Sequence, residues 1–267
     1  MNPYKILNPF STLFRNLTIV FALLLLIPIA TWLIDWHWVP DQNYSWIDFA
    51  LYLITETGSA PYFAVIVSLI LSIWLSMRCK CLQHHWVILF LSIIFLQATT
   101  QIIKSGAKAI WEEPRPYMSY VVEKGVDTTA FYEVDRNERS VILESVLDTD
   151  TNTPSWLQNH WQNETGYSFP SGHTIFAVIW AFIIIGFLTR EKDSKTWLAM
   201  IIMTLWAGLM MVSRVRLGMH FPIDLLVSTI IAYIVALLFF YFLAKRDTLI
   251  AGAFNQNEPK NLNETES

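Results

Sequence analysis

Six long apolar runs separated by polar connections set the rhythm of this chain. They cover residues 17–34, 62–77, 86–103, 174–189, 197–213 and 225–244, and none contains a charged side chain. A helix needs about 20 mostly apolar residues to cross a hydrocarbon core about 30 Å thick. The pattern therefore predicts an all-α polytopic membrane protein with six transmembrane helices. The fourth and fifth runs lie at the short end of that range. Residues 46–57 are also apolar but include Asp48 and Glu56, which reads as an interfacial or re-entrant piece and not a seventh span. The first run is too long for the apolar stretch of a signal peptide. Trp32, Trp36 and Trp38 at its end suit an interfacial aromatic belt. Composition agrees: 54% of the 267 residues are hydrophobic and 15% charged, too apolar for an ordinary soluble domain.

Lysine and arginine in the short connections orient such a protein. Lys5 and Arg15 precede the first run. Arg78 and Lys80 follow the second, Arg190, Lys192 and Lys195 follow the fourth, and Lys245 and Arg246 follow the sixth. Residues 35–60, between the first and second runs, have neither. Both termini are thus expected in the cytoplasm.

Residues 1–246 read as one membrane-embedded unit. It includes a small polar insert, about residues 105–170, between the third and fourth spans, on the non-cytoplasmic side. Within it, residues 134–146 are charged and compatible with a helix, and 148–154 form a turn-rich break. Residues 247–267 are polar and expected to be a disordered cytoplasmic tail. Cys79 and Cys81 are expected as free thiols, because a C-x-C pair closes a disulfide poorly and makes a poor zinc site. The net charge is -4 with no basic tract, so nucleic-acid binding has no support.

Three polar blocks then change the picture. They are Lys108…Arg115-Pro116, Pro170-Ser171-Gly172-His173 and Ser213-Arg214…His220…Asp224. By the predicted topology all three emerge on the same, non-cytoplasmic face. Transfer of a phosphoryl group is catalysed mostly by positioning and by stabilising charge on its oxygens. Arg115 and Arg214 can each present a planar fork, and Lys108 a point charge. Ser171 and Gly172 precede a helix whose N-terminal N–H groups suit an anion, although the Ser171 hydroxyl can equally cap that helix. His220 is the best candidate nucleophile. Asp224, one turn later, can orient its ring, and His173 can serve as acid and base. His37, His84, His85 and His160 read as structural, and Lys104 as an interfacial cation. Gln97, Thr99, Thr100 and Gln101 are expected to face neighbouring helices.

These blocks resemble the signature of the type 2 phosphatidic acid phosphatase superfamily: Lys, six residues, Arg-Pro; Pro-Ser-Gly-His; and Ser-Arg, five residues, His, three residues, Asp. All three parts are unbroken here. The likeness extends over about residues 15–245. Glu113-Pro114-Arg115-Pro116, His160-Trp161-Gln162 and Glu164-Thr165-Gly166 also resemble bacterial members. The resemblance implies a membrane phosphatase with no metal or other cofactor, its site facing the periplasm from the bacterial inner membrane. It makes His220 the nucleophile, Asp224 its orienter and His173 the acid/base. It assigns phosphate binding to Lys108, Arg115, Ser171, Gly172 and Arg214. Partners implied are the bilayer and anionic lipids: phosphatidylglycerol phosphate, undecaprenyl diphosphate and phosphatidic acid. A dedicated undecaprenyl-diphosphate phosphatase, a lipid phosphotransferase and an anionic-lipid transporter stay open as alternatives.

Overall fold

The computed structural model describes residues 9–40, 43–59, 62–78, 86–189, 191 and 193–245. They form eleven helices and, among the described residues, no strand. In chain order these are α1 (Pro9–Leu33), α2 (Trp46–Glu56), α3 (Tyr62–Arg78), α4 (Trp86–Lys108), α5 (Met118–Glu123) and α6 (Thr128–Glu133). Then follow α7 (Arg136–Leu147), α8 (Ser155–Asn163), α9 (Gly172–Leu188), α10 (Ser194–Arg216) and α11 (Pro222–Lys245).

The centre of the molecule is α9. Its sequence is apolar on every side, and every residue from Thr174 to Leu188 is buried, as expected of a helix with no polar face. Helices α1, α4, α10 and α11 pack around it. The perimeter of this ring is apolar too: Leu26, Leu91, Phe95, Leu205 and Phe242 are each more than half exposed. Exposed apolar surface on that scale suits a membrane.

Four helices contain segments long and apolar enough to cross a bilayer: Thr12–Leu33, Leu89–Ile110, Ser194–Arg216 and Pro222–Leu243. The other two predicted spans, Tyr62–Arg78 and Gly172–Leu188, are apolar helices of 17 residues each, about 26 Å long at roughly 1.5 Å per residue. Length and composition therefore support four crossings, where the apolar runs predict six. Helix ends also differ from the apolar limits. Helix α4 continues to Lys108 because Lys104 and Lys108, one turn apart, find polar partners at that end of the bundle.

Helix α2 has 11 residues, about 16 Å and half the hydrocarbon thickness. Ser45 and Asp48 form a capping box at its start. Asp48 also accepts from Arg216 Nε at 2.6 Å, and Trp206 Nε1 donates to Thr57 Oγ1 at 3.0 Å. These contacts tie α2 alongside α10. At the opposite end of α10, Arg78 at the end of α3 pairs with Asp193, which caps the helix.

The polar segment after α4 is helical: α5 to α8 build a second small core from Tyr117, Phe131, Leu143, Leu157 and Trp161, joined by Leu217 and Met219. Trp161 Nε1 donates to the Leu217 carbonyl at 2.9 Å, and Tyr117 N–H to the Gly218 carbonyl at 2.9 Å. The insert thus sits on the α10–α11 turn, beside the polar blocks. Cys79, Cys81, His84, His85 and the 247–267 tail lie outside the described residues.

Candidate active site

The α10–α11 turn is built so that its histidine is held from both sides. The N–H groups of Met219 and His220 both donate to the Arg214 carbonyl, at 3.0 and 3.1 Å. Pro222 then starts α11, as its fixed φ favours, and places Asp224 one turn after His220. His220 Nδ1 lies 3.1 Å from Asp224 Oδ2. The same carboxylate oxygen accepts the Phe221 N–H at 3.0 Å and the Ser168 hydroxyl. Both side chains are buried. With Nδ1 facing the carboxylate, Nε2 is the nitrogen left for an electrophile. Burial, then the charges of Arg115, Arg214 and Lys108, hold the His220 ring well below the ordinary histidine value. Nε2 therefore keeps its lone pair.

The predicted cations converge around this pair. Arg115 leaves α4 in an extended segment and is 6% exposed. Its Nε donates to the Gly166 carbonyl at 2.7 Å, and its Nη1 to the Met219 carbonyl at 3.3 Å. Lys108 Nζ donates to the Tyr167 carbonyl and, at 3.3 Å, to that of Ser168. Arg214, in the last turn of α10, is fully buried. Its Nη1 donates to Thr55 Oγ1 at 2.7 Å and to His160 Nε2 at 3.1 Å, and its Nη2 to Glu164 Oε2 at 2.6 Å. Among the described residues its Nε has no hydrogen-bond partner. A buried, unmatched donor of this kind is costly, and it suits an anion at this position.

Glu164, part of a stretch that resembles bacterial members but given no role from sequence, links the cage. It also pairs with Arg115 Nη1 at 3.2 Å and faces His173 Nε2 at 3.6 Å. Burial alone would raise its carboxyl, but Arg214, His173, Arg115 and His160 bring it well below the ordinary value. His160, read from sequence as structural, lies in the wall of the same site. Its ring bridges Arg214 and Glu56 Oε1, the latter at 3.1 Å. The available signal was spacing: His160 and Glu164 are one helical turn apart.

The Pro-Ser-Gly-His block behaves differently from expectation in one respect. The Ser171 N–H is committed to Ser228 Oγ at 2.8 Å, and Ser171 Oγ caps α9 by accepting from Thr174 N–H at 3.3 Å. Of the donors expected for an anion, Ser171 retains its hydroxyl hydrogen. A Cβ on Gly172 would lie 2.9 Å from Lys104 Cδ, so the glycine makes room for Lys104 against the block. Lys104 also donates to Gln101. All eight predicted site residues thus lie at one end of the helical ring. Glu164, His160, Ser168, Thr55, Glu56 and Ser59 join them; His160 and Glu164 lie in stretches that resemble bacterial members, and the other four lie in none.

Chemically the arrangement offers an oriented neutral imidazole, three cations and a second histidine beside a carboxylate. Residues 85–248 match the PAP2 superfamily. Phosphatidylglycerophosphatase B of Haemophilus influenzae (strain ATCC 51907 / DSM 11121 / KW20 / Rd) is 40% identical over 237 residues, 88% of this chain and 98% of that one. Phosphatidylglycerophosphatase B of Escherichia coli (strain K12) is 37% identical over 224 residues, 82% of this chain and 85% of that one. The three polar blocks, the cage they build and these relatives lead to one assignment: the chain belongs to the PAP2 superfamily.

Proposed function

We propose that this lipid phosphatase works through a phosphohistidine on His220, at the periplasmic face of a bacterial inner membrane. Arg115, Arg214 and Lys108, with the Ser171 hydroxyl and the backbone at Gly172, receive the phosphate oxygens. His220 Nε2 forms a bond to phosphorus as the bond from phosphorus to the lipid oxygen breaks. His173 gives that oxygen its proton, and the lipid alcohol or lipid monophosphate leaves. A water oxygen then attacks phosphorus, His173 takes its proton, and the nitrogen–phosphorus bond breaks. Inorganic phosphate departs, and both histidines return to their starting forms. Asp224 holds the His220 ring through Nδ1 and balances its charge while phosphorylated. Glu164 Oε1, 3.6 Å from His173 Nε2, offsets part of the cost of protonating that buried ring.

The observation that carries this reading is the buried His220–Asp224 pair at 3.1 Å, walled by arginines. A six-span topology with both termini in the cytoplasm accompanies it. In support, the Arg78–Asp193 pair and the site sit at opposite ends of α10. The names of the relatives make phosphatidylglycerol phosphate the first substrate to test. Undecaprenyl diphosphate and phosphatidic acid present the same terminal phosphate to the cage.

The test is phosphate release by purified protein in detergent with a chelator present. Phosphatidylglycerol phosphate and undecaprenyl diphosphate are offered side by side. Wild type should turn over both, and His220→Ala should lose at least about a thousandfold while keeping its melting temperature. The cage supplies its own positive charge, so the chelator should change nothing. Turnover by the mutant, or loss restored by magnesium, contradicts the mechanism.

A further inference from the structure

Five consecutive residues at the end of α2, Thr55-Glu56-Thr57-Gly58-Ser59, lie outside the matched family region and outside the three polar blocks. Four of them reach the site. Thr55 is fully buried and its hydroxyl oxygen accepts from Arg214 Nη1 at 2.7 Å. Glu56 Oε1 is 3.1 Å from His160 Nδ1, and the far nitrogen of that ring is 3.1 Å from the same Arg214 Nη1. A Cβ on Gly58 would lie 3.0 Å from His173 Cδ2, so any larger residue would press on that ring. Ser59 Oγ is 3.4 Å from His173 Nε2.

The chemistry of His160 gives Glu56 a task. Arginine only donates, so His160 Nε2 must carry a lone pair to receive Arg214. The ring proton is then on Nδ1, where Glu56 accepts it. Glu56 thus selects the His160 tautomer that can hold Arg214. Without it, the other tautomer sets N–H against N–H. A plain latch between α2 and α10 does not need this relay, because Asp48–Arg216 and Thr57–Trp206 already tie the two helices.

We propose that residues 55–59 are a fourth part of the phosphate site. Thr55 and the Glu56–His160 pair hold the Arg214 fork in register for the phosphate, and Gly58 with Ser59 holds the ring of His173. These are positioning residues, and the proposal rests on Arg214 and His173 having the roles given above.

Purified full-length protein in detergent tests it with two readouts. One is the affinity for orthovanadate, a mimic of the phosphoryl group in flight, from thermal-shift titration. The other is kcat and KM for dioctanoyl phosphatidic acid. Losing one hydrogen bond to a charged group is worth about tenfold or more. Glu56→Ala should therefore weaken vanadate binding by about tenfold or more and raise KM in step. Glu56→Gln keeps an oxygen for His160 and should stay within about threefold of wild type. Ser59→Ala should lower kcat and leave vanadate affinity near wild type. If Glu56→Ala does not fold, Thr55→Val removes a single acceptor from Arg214 and should shift vanadate binding in the same direction. Unchanged vanadate affinity in Glu56→Ala, or equal damage in Glu56→Gln and Glu56→Ala, overturns the relay. Unchanged kcat in Ser59→Ala overturns the His173 part. Wild type that binds vanadate and releases no phosphate would sink the phosphatase mechanism alone. Wild type that turns over while Glu56→Ala behaves identically would sink the positioning alone.

Discussion

Glu164 is one carboxylate among two arginines and two histidines, and its charge has a pH signature. Its folded-state carboxyl titrates well below the ordinary value of 4.5, because the surrounding cations outweigh burial. The stability it contributes is therefore complete above about pH 4.5 and is lost as pH falls toward the folded value. Glu164→Gln removes the titration. The melting temperature of wild type should exceed that of Glu164→Gln at neutral pH, and the gap should close below pH 4.5. A gap that stays constant through that window would mean the carboxylate is not held by the cage. At this scale the sequence was uneven. His173, Arg214, His220 and Asp224 stand out because charge in a greasy chain is costly and must have a purpose, and Lys108 and Arg115 because they complete the family signature. Glu164 and Ser168 sit in a polar insert where such residues are ordinary. Thr55 and Ser59 carry no charge at all, so only their contacts reveal them.

Among elements, α2 joins membrane and site. Its first turn is fixed by the Ser45–Asp48 capping box and by the 2.6 Å contact with Arg216. Its last turn delivers Thr55 and Glu56. Asp48→Ala removes the cap partner and leaves Arg216 without that carboxylate, a loss of about 2 kcal/mol. It should lower the melting temperature, and adding Arg216→Ala should cost less than the separate effects predict. Additive effects would show that the two side chains do not act together. The two acidic residues in residues 46–57 argued against a seventh span, and the 11-residue helix is indeed too short for one. The capping role of Asp48 is local, but its pairing with Arg216 and the contact of Glu56 with His160 lie far along the chain and were not legible. The insert was legible only as polar and partly helical. Its helices are short, and they are held by the shared core of Tyr117, Trp161 and Leu217. Periodicity has too few turns to register there.

For the whole molecule, sidedness is the sharpest expectation. Ser145 on α7 and Ser194 at the start of α10 are both exposed, at opposite ends of the bundle by the proposed topology. In a variant with Cys79 and Cys81 replaced by serine, Ser145→Cys should react with a membrane-impermeant maleimide in intact spheroplasts. Ser194→Cys should react only after permeabilisation. The reverse pattern would invert the site to the cytoplasm. Each of the six apolar runs forms an apolar helix, and four of these are long enough to cross a bilayer. The runs could not announce which helix is central, since a helix surrounded by protein and one surrounded by lipid are equally apolar.

The position of α9 also bears on how the enzyme is assembled during synthesis. It packs on α1 and α4, made before it, and on α10 and α11, made after it. On leaving the insertion machinery, α9 meets lipid on the sides its later partners will cover. Arg115, Glu164 and His173 are then already made, but His220, the proposed nucleophile, and Asp224 arrive with the last helix. On the proposed mechanism, a nascent chain carries part of the cation cage before it has the residues that would cleave a phosphate, and activity waits for α11 to pack against α9.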